Sequence, residues 1–597
     1  MMSSSPRKVV SAVPAALVAG VAALLAPGGE ARACPVAPPG LATGEVFCVP
    51  ADGGAPPFDM QGDSLRIANS SGSSGSLTLS AGEVVTLESG SDPDPGLAGP
   101  FAAVGRSLGS DGMLTVDGAG TELRFLPEGL LSNLWLGRDG GRGRATVSNG
   151  GAIVAFSDSN AGATSGAEGG ASLHAGRAGA GTVGRLTVDG GTIDLDTLEE
   201  AKLYVGRDGS FGTMTVRDGS LVSLRGEKAD FFTEVNVGGS SGGGGSGELT
   251  VDASRVILEQ VSGGSGFYVG RGAGALGTAA FSAGAELEVA SGTDQAVVVI
   301  GAATGGFGSL SLTEASSGTV DGARSLLDIA REPGSEGAVA LVDGATLTLT
   351  ADAPEDADVA VGVSFDGRPI AGDGDLRVSG AGSTLAASGS VLVGGFGGIS
   401  SGRLRVGDGG TVDARDVRIG EDGLLDGDGG FVLADVSVEG GTVAPGTSAG
   451  VLTVGGDFVL GPGGRLVMEV FGPSEYDVLS VSGLLDPGEG VIEFLFDAGF
   501  FGAVLEDFGL MPTLSTLFDG RDPAPLAGVY PGGAPDGPVY ALGFDVTGAL
   551  VSAERATPVP LPPAALALAA ALAATPAMRR RRGGLTRSDR PRRSGRR

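Results

Sequence analysis

Short runs in which apolar and polar residues alternate recur along most of the chain, separated by glycine-rich turns. In "RLTVDGGTIDL", which starts at Arg185, the Leu, Val and Ile positions alternate with Thr and Asp. Strict alternation over a few residues is typical of a β-strand with one buried face. The pattern therefore predicts many short strands, with the Leu and Val of "LTV" pointing inward and the Thr outward.

The same alternating segment returns many times, and each copy follows a glycine. Examples are "WLGRDGGRGRATVSNGGAIV" from Trp135, "HAGRAGAGTVGRLTVDGGTIDL" from His174 and "YVGRDGSFGTMTVRDGSLVSL" from Tyr204. Self-similarity at a period of about 32 residues is the signature of a solenoid. One interval, of 61 residues, spans two periods and contains a degenerate copy. The anchoring glycines are Gly105, Gly137, Gly176, Gly206, Gly238, Gly270, Gly301, Gly362 and Gly394.

Each copy contains three strand signals, such as "YVG", "LTV" and "GSLVSL". Three strands per coil predict an all-β fold, a right-handed parallel β-helix whose neighbouring coils pair in register. Glycine is expected at the corners, where the backbone takes a positive φ or approaches a neighbouring coil closely. Terminal regions at 34–100 and 484–556 are expected to cap the solenoid. The aromatic stretch Val491 to Phe508 is interpreted as part of the cap or, alternatively, as a partner surface.

The composition is that of a folded but acidic chain. The 597 residues include 112 glycines and carry a formal charge of -31. Abundant glycine is compatible with disorder, but 41% of the residues are hydrophobic and stand in alternating runs, which favours a folded β chain. Such a surface stays soluble and repels phosphate backbones, so we expect no nucleic-acid partner.

The N-terminus has the order of a secretory signal peptide. Arg7 and Lys8 precede an apolar stretch, and Ala31-Arg32-Ala33 then places small residues at the two cleavage-site positions before Cys34. Residues 1–33 are therefore expected to be removed on export. Cys34 and Cys48 would then enter an oxidising compartment together, which makes them the candidate disulfide pair. A lipoprotein Cys at position 34 is the alternative.

Titratable residues follow the repeat instead of forming a unique cluster. We expect these rows to form ladders on the coil surface that pair between coils, whereas catalysis needs a unique cluster in a cleft. The sequence thus predicts no enzyme activity, no catalytic residue and no cofactor, and His174 is interpreted as a substituted strand residue. One row consists of Asp117, Asp189, Asp252 and Asp343, and the other of Arg106, Arg138, Arg177, Arg207 and Arg271.

Metal binding is not expected either. Two cysteines and one histidine leave no material for a Cys/His zinc site. The turn "GEDGLLDGDGG" places Asp422, Asp426 and Asp428 among glycines, and oxygen-rich loops suit calcium. The segment follows neither the calcium-binding nonapeptide nor the EF-hand spacing, so a solvated turn is favoured over a calcium site.

The repeats resemble a known family. From Ala103 to Leu425 they look like the type V secretion and PEP-CTERM-associated repeat of bacterial surface proteins. The stretch "GGTVAPGTSAGVLTVGGDFVLGPGGRLVMEVFGPSEYDVLSVSG", Gly440 to Gly483, is similar to the end of autotransporter passenger domains and of PEP-CTERM proteins. After Tyr476, only about 80 residues precede the C-terminal segment, which is short for an autotransporter translocator barrel.

The C-terminal segment resembles the VPLPA-CTERM variant of the PEP-CTERM sorting signals. An apolar stretch of about 18 residues is marginal for a membrane span, and the arginines that follow it fit the positive-inside rule. The resemblance implies transient insertion in the inner membrane and removal by an exosortase-type enzyme. A plain tail anchor is the alternative. The residues that carry the motif are Val559, Pro560, Leu561, Pro562, Arg579, Arg580, Arg581 and Arg582.

These expectations combine into one organisation. It consists of a signal peptide (1–33), an N-terminal cap region (34–100), β-helix repeats (101–430), a passenger-like β region and cap (431–556), a sorting segment (557–582) and a basic tail (583–597). The resemblance implies an exported structural protein of the Gram-negative envelope, at the outer surface or released, associated with extracellular polysaccharide or biofilm matrix. The alternatives are an adhesin or carbohydrate-binding solenoid and, less favoured, a polysaccharide lyase or hydrolase.

Overall fold

A computed structural model describes most of the chain between its two terminal segments. The chain separates into two compact units, Met1–Pro56 and Pro57–Arg597, and all described residues belong to the second. The signal peptide, the Cys34–Cys48 pair, the sorting motif and the basic tail therefore lie outside the described residues. The described ranges are 58–61, 64–88, 99–126, 131–156, 169–240, 243–363, 372–395, 400–446, 449–522, 526, 528–535 and 539–555.

The repeat unit is a coil of three short strands. In one coil these are Ala201–Arg207, Phe211–Arg217 and Leu221–Gly226. Each pairs in parallel with the matching strand of the next coil, so that Leu203 faces Val235 and Met214 faces Leu249. The predicted all-β fold built from stacked parallel coils is thereby confirmed.

The strands of successive coils align in three rows, which we call the first, second and third row. The first row contains Ser64–Ile67, Phe101–Val104, Ser132–Arg138, Ala171–Arg177, Ala201–Arg207, Phe232–Val237, Gly264–Val269, Gln295–Ile300, Arg324–Ile329, Ala357–Val361, Phe458–Leu460 and Leu485–Asp486. The second row contains Ser74–Leu79, Asp111–Asp117, Arg142–Ser148, Val183–Asp189, Phe211–Arg217, Ser246–Asp252, Leu276–Ser282, Phe307–Leu312, Glu336–Val342, Asp373–Ser379, Ser401–Gly407, Gly423–Asp426, Thr442–Ala444, Arg465–Gly472 and Val491–Phe496. The third row contains Val84–Glu88, Glu122–Leu126, Ala152–Phe156, Thr192–Thr197, Leu221–Gly226, Arg255–Gln260, Glu286–Ser291, Ser317–Gly322, Thr346–Ala351, Val451–Val454 and Val478–Val481.

Three longer strands join the third row to the first without a corner. The first half of each pairs with the third row and the second half with the first row, as Leu385 with Leu347 and Val391 with Val359 show. Parallel pairing thus runs from Ser64 to Phe496, past both ends of the recognisable repeats. The longer strands are Thr384–Val393, Thr411–Ile419 and Gly430–Val438.

The core lies inside the coils. In Val183–Asp189 the side chains of Leu186 and Val188 are buried and Thr187 is half-buried, which confirms the predicted direction of "LTV". Stacking therefore buries a continuous apolar interior that a single coil could not bury alone. An interior cavity beside Phe125 and Leu134 has a volume of about 10 Å³, too small for a ligand.

Glycines turn the chain at the corner between the first and second rows. All nine anchoring glycines have positive φ, as predicted. At Gly206, with φ of 74°, a Cβ atom would overlap the backbone carbonyl oxygen of Ser246 in the next coil, so the site excludes any side chain. In the degenerate copy, Ala330 occupies the corner with φ of 61°, which accounts for the interval of two periods.

The last described residues pack against the final coil, where Gly528–Gly533 pairs with Val491–Phe496. Val491–Phe496 is followed by the helix Ala498–Glu506, whose Phe501 ring packs 4.7 Å from Phe496 and 5.1 Å from Tyr540. This aromatic packing favours the interpretation of the stretch as an end cap. The remaining elements are the helix Leu514–Leu517, the 3-10 turns Pro354–Asp356 and Phe508–Leu510, and the strands Phe58–Gln61, Glu475–Tyr476, Gly528–Gly533, Tyr540–Phe544 and Leu550–Arg555. Each of these strands has an antiparallel neighbour, and Gly528–Gly533 also pairs in parallel with Val491–Phe496. None of the helices within the described ranges is long and apolar enough to cross a membrane.

Candidate functional site

Aromatic rings stack along the outer face of the first row. Trp135, His174 and Tyr204 occupy one register position on three neighbouring strands. They alternate with inward-facing residues such as Leu134 and Leu203, so their side chains point away from the core. The rings of His174 and Tyr204 stack at 4.8 Å between centroids. All three rings are nevertheless buried, which requires a cover on the outside.

Arginines provide that cover. Arg138, Arg177 and Arg207 share the register position three residues after the rings, and we call these three the arginine column. The guanidinium carbon lies 4.4 Å from the Trp135 ring centroid for Arg138 and 5.2 Å for Arg177. That of Arg207 lies 4.5 Å from the Tyr204 centroid. Cation–π attraction holds the guanidinium groups on the rings. Nε and Nη1 of Arg138 and Nε of Arg207 are buried there.

The middle arginine differs from its two neighbours. Nε of Arg138 lies 3.2 Å from a carboxylate oxygen of Asp139, and Nε of Arg207 lies 3.0 Å from one of Asp208. The corresponding residue after Arg177 is Ala178, which cannot form an ion pair. Within the described ranges no carboxylate lies within 4 Å of the Arg177 guanidinium, although the negative charge of Asp208 in the next coil acts to raise its pKa.

The charges of the column act on each other. Burial, reinforced by the positive charges of Arg138 and Arg207, lowers the pKa of Arg177 to about 10. Arg177 is still protonated at neutral pH. Burial, followed by the charges of the three arginines, holds the pKa of His174 well below its usual range, so the imidazole is neutral. Nδ1 of His174 and Nε1 of Trp135 are buried without a hydrogen-bond partner among the described residues.

A groove lies at the corner that follows the arginine column along the chain. It has a volume of about 480 Å³ and a floor of glycine-rich turns, and Phe211 and Leu276 line it. Both apolar side chains are largely exposed, by 41% and 55%. Two residues of the groove wall are hydrogen-bonded to the backbone at or next to the arginine column. The Thr182 hydroxyl donates to the Ala178 carbonyl at 2.7 Å, and the Ser210 hydroxyl donates to the Arg207 carbonyl at 2.7 Å.

Three of the four aspartates that were predicted to share a repeat position do share one in the structure. Asp117, Asp189 and Asp252 fall on one register position of the second row, and Arg217 of the neighbouring coil donates to Asp189 at 2.6 Å. Asp343 was placed wrongly, because Val342 takes the shared position and Asp343 lies one residue later in the turn. The predicted pairing between coils is therefore present in this row.

The acidic turn at 420–430 does not gather its carboxylates. Asp426 is buried and paired with Arg403, and Asp428 accepts a hydrogen bond from the backbone N–H of Val451 at 3.2 Å. Asp422 stands in the turn with φ of 57°. Across the residues that the structure describes, no group of three or more His, Cys, Asp or Glu side chains is placed to hold a metal ion.

The sequence contained a signal for the aromatic and arginine arrangement that its interpretation missed. "WLGR" and "YVGR" place an aromatic residue three positions before an arginine, and "HAGR" has the same spacing. The row of arginines was expected to pair with aspartates of other coils. Arg271 does pair with a carboxylate of the neighbouring coil, that of Glu234 at 3.0 Å. Arg138 and Arg207 instead pair with the next residue in their own coil and lie on aromatic rings.

Comparisons with known proteins assign no family to the chain. No protein-family model matches the chain, and no curated protein matches it. A solved structure with some similarity is a fragment of TibA, residues 55–350, hyper-glycosylated by TibC. It is 13% identical, and the alignment covers 66% of this chain and 97% of that one with a TM-score of 0.16. This similarity adds nothing to what the strand pairing itself shows.

Proposed function

We propose that the chain is an exported structural protein of a Gram-negative cell envelope, built on a right-handed β-helix and displayed at the surface or released into an extracellular polysaccharide matrix. The observation that carries the proposal is the unbroken stack of parallel coils from Ser64 to Phe496. A solenoid of this kind makes an extended scaffold, because each coil is held by its two neighbours. The right hand follows the strong preference of parallel crossover connections.

The ending supports export followed by processing. Val559 to Pro562 precede the apolar segment, and Arg579 to Arg582 follow it at once. Proline disfavours both helix and sheet, and an exosortase-type processing enzyme would need an extended segment at this place. The arginines would hold the tail on the cytoplasmic side until cleavage. On this proposal the inner membrane anchors the protein only transiently.

The test is the intact mass of the protein recovered from the membranes and from the medium of a host with the sorting enzyme and of one without it. With the enzyme, the mature form should lack Arg579 to Arg582. Without it, those arginines should be retained. A mass that includes Arg582 in every fraction of both hosts would contradict the proposal and make the ending a plain anchor.

Two variants separate the sorting signal from the basic tail. Replacing Arg579 to Arg582 by four glutamines should leave unprocessed protein in the cell, because the topology signal is lost. The matched control replaces four arginines of the tail, Arg592, Arg593, Arg596 and Arg597, and should be processed as the wild type is. Equal processing of both variants would count against the assigned role of Arg579 to Arg582.

A second candidate function is a carbohydrate-binding solenoid. It is favoured by the groove beside Phe211 and Leu276, which combines exposed apolar side chains with a floor of backbone polar groups. Ligand sites commonly pair apolar walls with a few fixed polar groups.

A further inference from the structure

We infer that the groove holds one neutral pyranose unit of gluco configuration, inserted between the side chains of Phe211 and Leu276 and above Ser246. The inference deepens the second candidate function and rests on it, because it names the sugar that the groove binds and the place of its ring. It does not depend on how the chain is exported or processed.

The first argument is an interruption in a row of apolar side chains on the outside of the coils. Phe211, Ser246, Leu276 and Phe307 share one register position at the start of four successive second-row strands. The next residue of each strand is a buried glycine, so by alternation these four side chains point away from the core. Three of them are large, apolar and exposed, and only the serine is small.

The second argument is the width of this interruption. Strands in a sheet lie about 4.8 Å apart, so Phe211 and Leu276, which flank Ser246, start roughly 10 Å apart. A flat ring between them would lie about 4.8 Å from each wall. The rings of His174 and Tyr204 have the same separation, 4.8 Å, on the first row. The opening therefore accepts one ring, and the groove volume of about 480 Å³ leaves room for linked units.

The third argument is the chemistry of the lining. None of the described residues that line the groove is charged, so a charged ligand would lose hydration there without gaining an ion pair. Hydroxyl groups line it at Thr182, Ser210 and Ser246. The backbone N–H groups of Gly244 and Gly245 donate to no backbone carbonyl of the described residues. Sugar hydroxyls, which both donate and accept, match such a set.

The two apolar walls select the stereochemistry of the sugar. A gluco-configured pyranose in its chair form carries all its ring substituents near the equator, and both of its faces consist of C–H groups. One face would pack on Phe211 and the other on Leu276, with the hydroxyl groups directed to Ser246 and to the glycine-rich floor. An axial hydroxyl, as in galactose or mannose, would face an apolar wall without a hydrogen-bond partner, which costs free energy.

The experiment uses the processed protein purified from the host and cellotetraose, a neutral β-linked glucose oligosaccharide, as the probe. Calorimetry should give saturable binding. Saturation-transfer NMR should place the ring C–H protons of one glucose unit closest to the protein. The β-linked oligosaccharides galactotetraose and mannotetraose should bind about tenfold more weakly or less, since each buries an unpartnered axial hydroxyl. N-acetylphenylalanine amide represents the competing occupant, an aromatic side chain of a peptide.

Two variants test the site from opposite directions. Ser246→Leu fills the opening with the side chain that Leu276 already supplies on the next coil, so it should fold, and it should raise Kd more than about tenfold. Phe211→Ser removes one wall and should raise Kd about tenfold. The matched control is Phe431→Ser, because Phe431 is also 41% exposed but belongs to the distant strand Gly430–Val438. It should leave Kd unchanged within about twofold.

The outcomes that would overturn the inference are distinct. No saturable binding up to about 10 mM cellotetraose would overturn it as a whole. Equal binding by the wild type and by Ser246→Leu would overturn the place of the site. Equal binding of galactotetraose or mannotetraose would overturn the gluco assignment, and tighter binding of N-acetylphenylalanine amide would overturn the choice of a sugar.

A glycan array separates this inference from the candidate function on which it rests. Binding of another glycan by the wild type and by Ser246→Leu alike would leave a carbohydrate-binding solenoid and remove the site proposed for it. An array on which no glycan is bound would count against both. The sorting experiment is independent of either result, because these measurements use purified protein.

Discussion

The rings of His174 and Tyr204 lie face to face, with their centroids 4.8 Å apart and their planes inclined by 8°. The spacing is that of neighbouring strands in a sheet, which is about 4.8 Å. Identical register positions in neighbouring coils therefore bring flat side chains into stacking contact without any further adjustment. The arginines that cover these rings are spaced in the same way.

Replacing His174 by tyrosine should stabilise the solenoid. Tyrosine keeps the stack on Tyr204 and removes the buried, unpartnered Nδ1 atom. A buried polar group without a partner costs about 1–3 kcal/mol, so the gain in the free energy of unfolding should be about 1 kcal/mol. Hydrogen exchange of the amides in Ala171–Arg177 measures it locally. Faster exchange in His174→Tyr than in the wild type would contradict the expectation.

The same substitution should change the response to acid. The pKa of His174 is lowered in the folded protein, so the unfolded chain binds a proton that the folded chain does not. Stability should therefore fall in the wild type as pH drops below about 6.5, the ordinary pKa of histidine. The His174→Tyr variant should lack this component. Equal pH profiles for the two proteins between pH 5 and 8 would show that His174 does not titrate as inferred.

Two glycines of one turn should differ in their tolerance of alanine. Both have positive φ, 74° at Gly206 and 81° at Gly209. A Cβ atom at Gly206 would overlap the Ser246 carbonyl, whereas one at Gly209 meets open space. Gly209→Ala should cost about 1 kcal/mol from the backbone conformation alone, and Gly206→Ala clearly more, about 3 kcal/mol. Chemical denaturation of the two variants in parallel measures the difference, and similar losses would contradict the steric argument.

Asp477 should make the C-terminal coils less stable at neutral pH than in mild acid. Burial raises its pKa to about 7, although the carboxylate accepts hydrogen bonds from the backbone N–H groups of Gly450 at 3.0 Å and Glu469 at 2.8 Å. Between about pH 4 and 7 the folded state holds a proton that the unfolded state releases, so stability falls as pH rises through this window. The full effect is about 4 kcal/mol at most.

The Asp477→Asn variant isolates this effect. Asparagine cannot ionise, so the variant should lose most of the decline between pH 4 and 7. It should also be less stable than the wild type near pH 4, because one of the two backbone N–H groups loses its acceptor. Hydrogen exchange in Arg465–Gly472 and Val478–Val481 across this pH range measures both changes. An unchanged slope in the variant would assign the decline to other groups.

Two phenylalanines should show the contrast between the core and the surface. Phe281 is fully buried and packs edge-on against Phe267 at 6.1 Å between ring centroids, whereas Phe211 is 41% exposed. Phe281→Ala should lower the free energy of unfolding by about 3–5 kcal/mol, and Phe211→Ala by less than about 1 kcal/mol. Because solenoid coils can open one by one, local hydrogen exchange is the appropriate measurement. A large effect of Phe211→Ala on stability would show that the groove wall is structural.

The repeats made the coil predictable in detail. The three strand signals in each copy indicated three strands per coil. Alternation indicated which side chains of "LTV" point inward, and the anchoring glycines indicated a corner with positive φ. These features are local, because strand alternation and glycine conformation depend on a few neighbouring residues. Asp343 was misplaced because the sequence alone does not show where the strand ends and the turn begins. The strand extends to Val342, and Asp343 lies in the turn.

The extent of the stack was less visible. Parallel coils continue to Phe496 through the strands Thr384–Val393, Thr411–Ile419 and Gly430–Val438, which lack a corner between the third and first rows. Without that corner the period becomes shorter and the repeat is hard to recognise. Only pairing with the preceding coil assigns the two halves of such a strand to different rows.

By itself, the sequence determined the β character of the chain, its stacked coils, the inward residues and the conformation of the corners. The tertiary structure alone decided that Arg138 and Arg177 lie on Trp135, that Arg207 lies on Tyr204, and that Arg177 forms no ion pair within the described part of the chain. The reason is physical. A strand's direction follows from its own residues, whereas a side chain on the outside of a coil takes its partners from coils about 30 residues away, and these are fixed only when the coils stack.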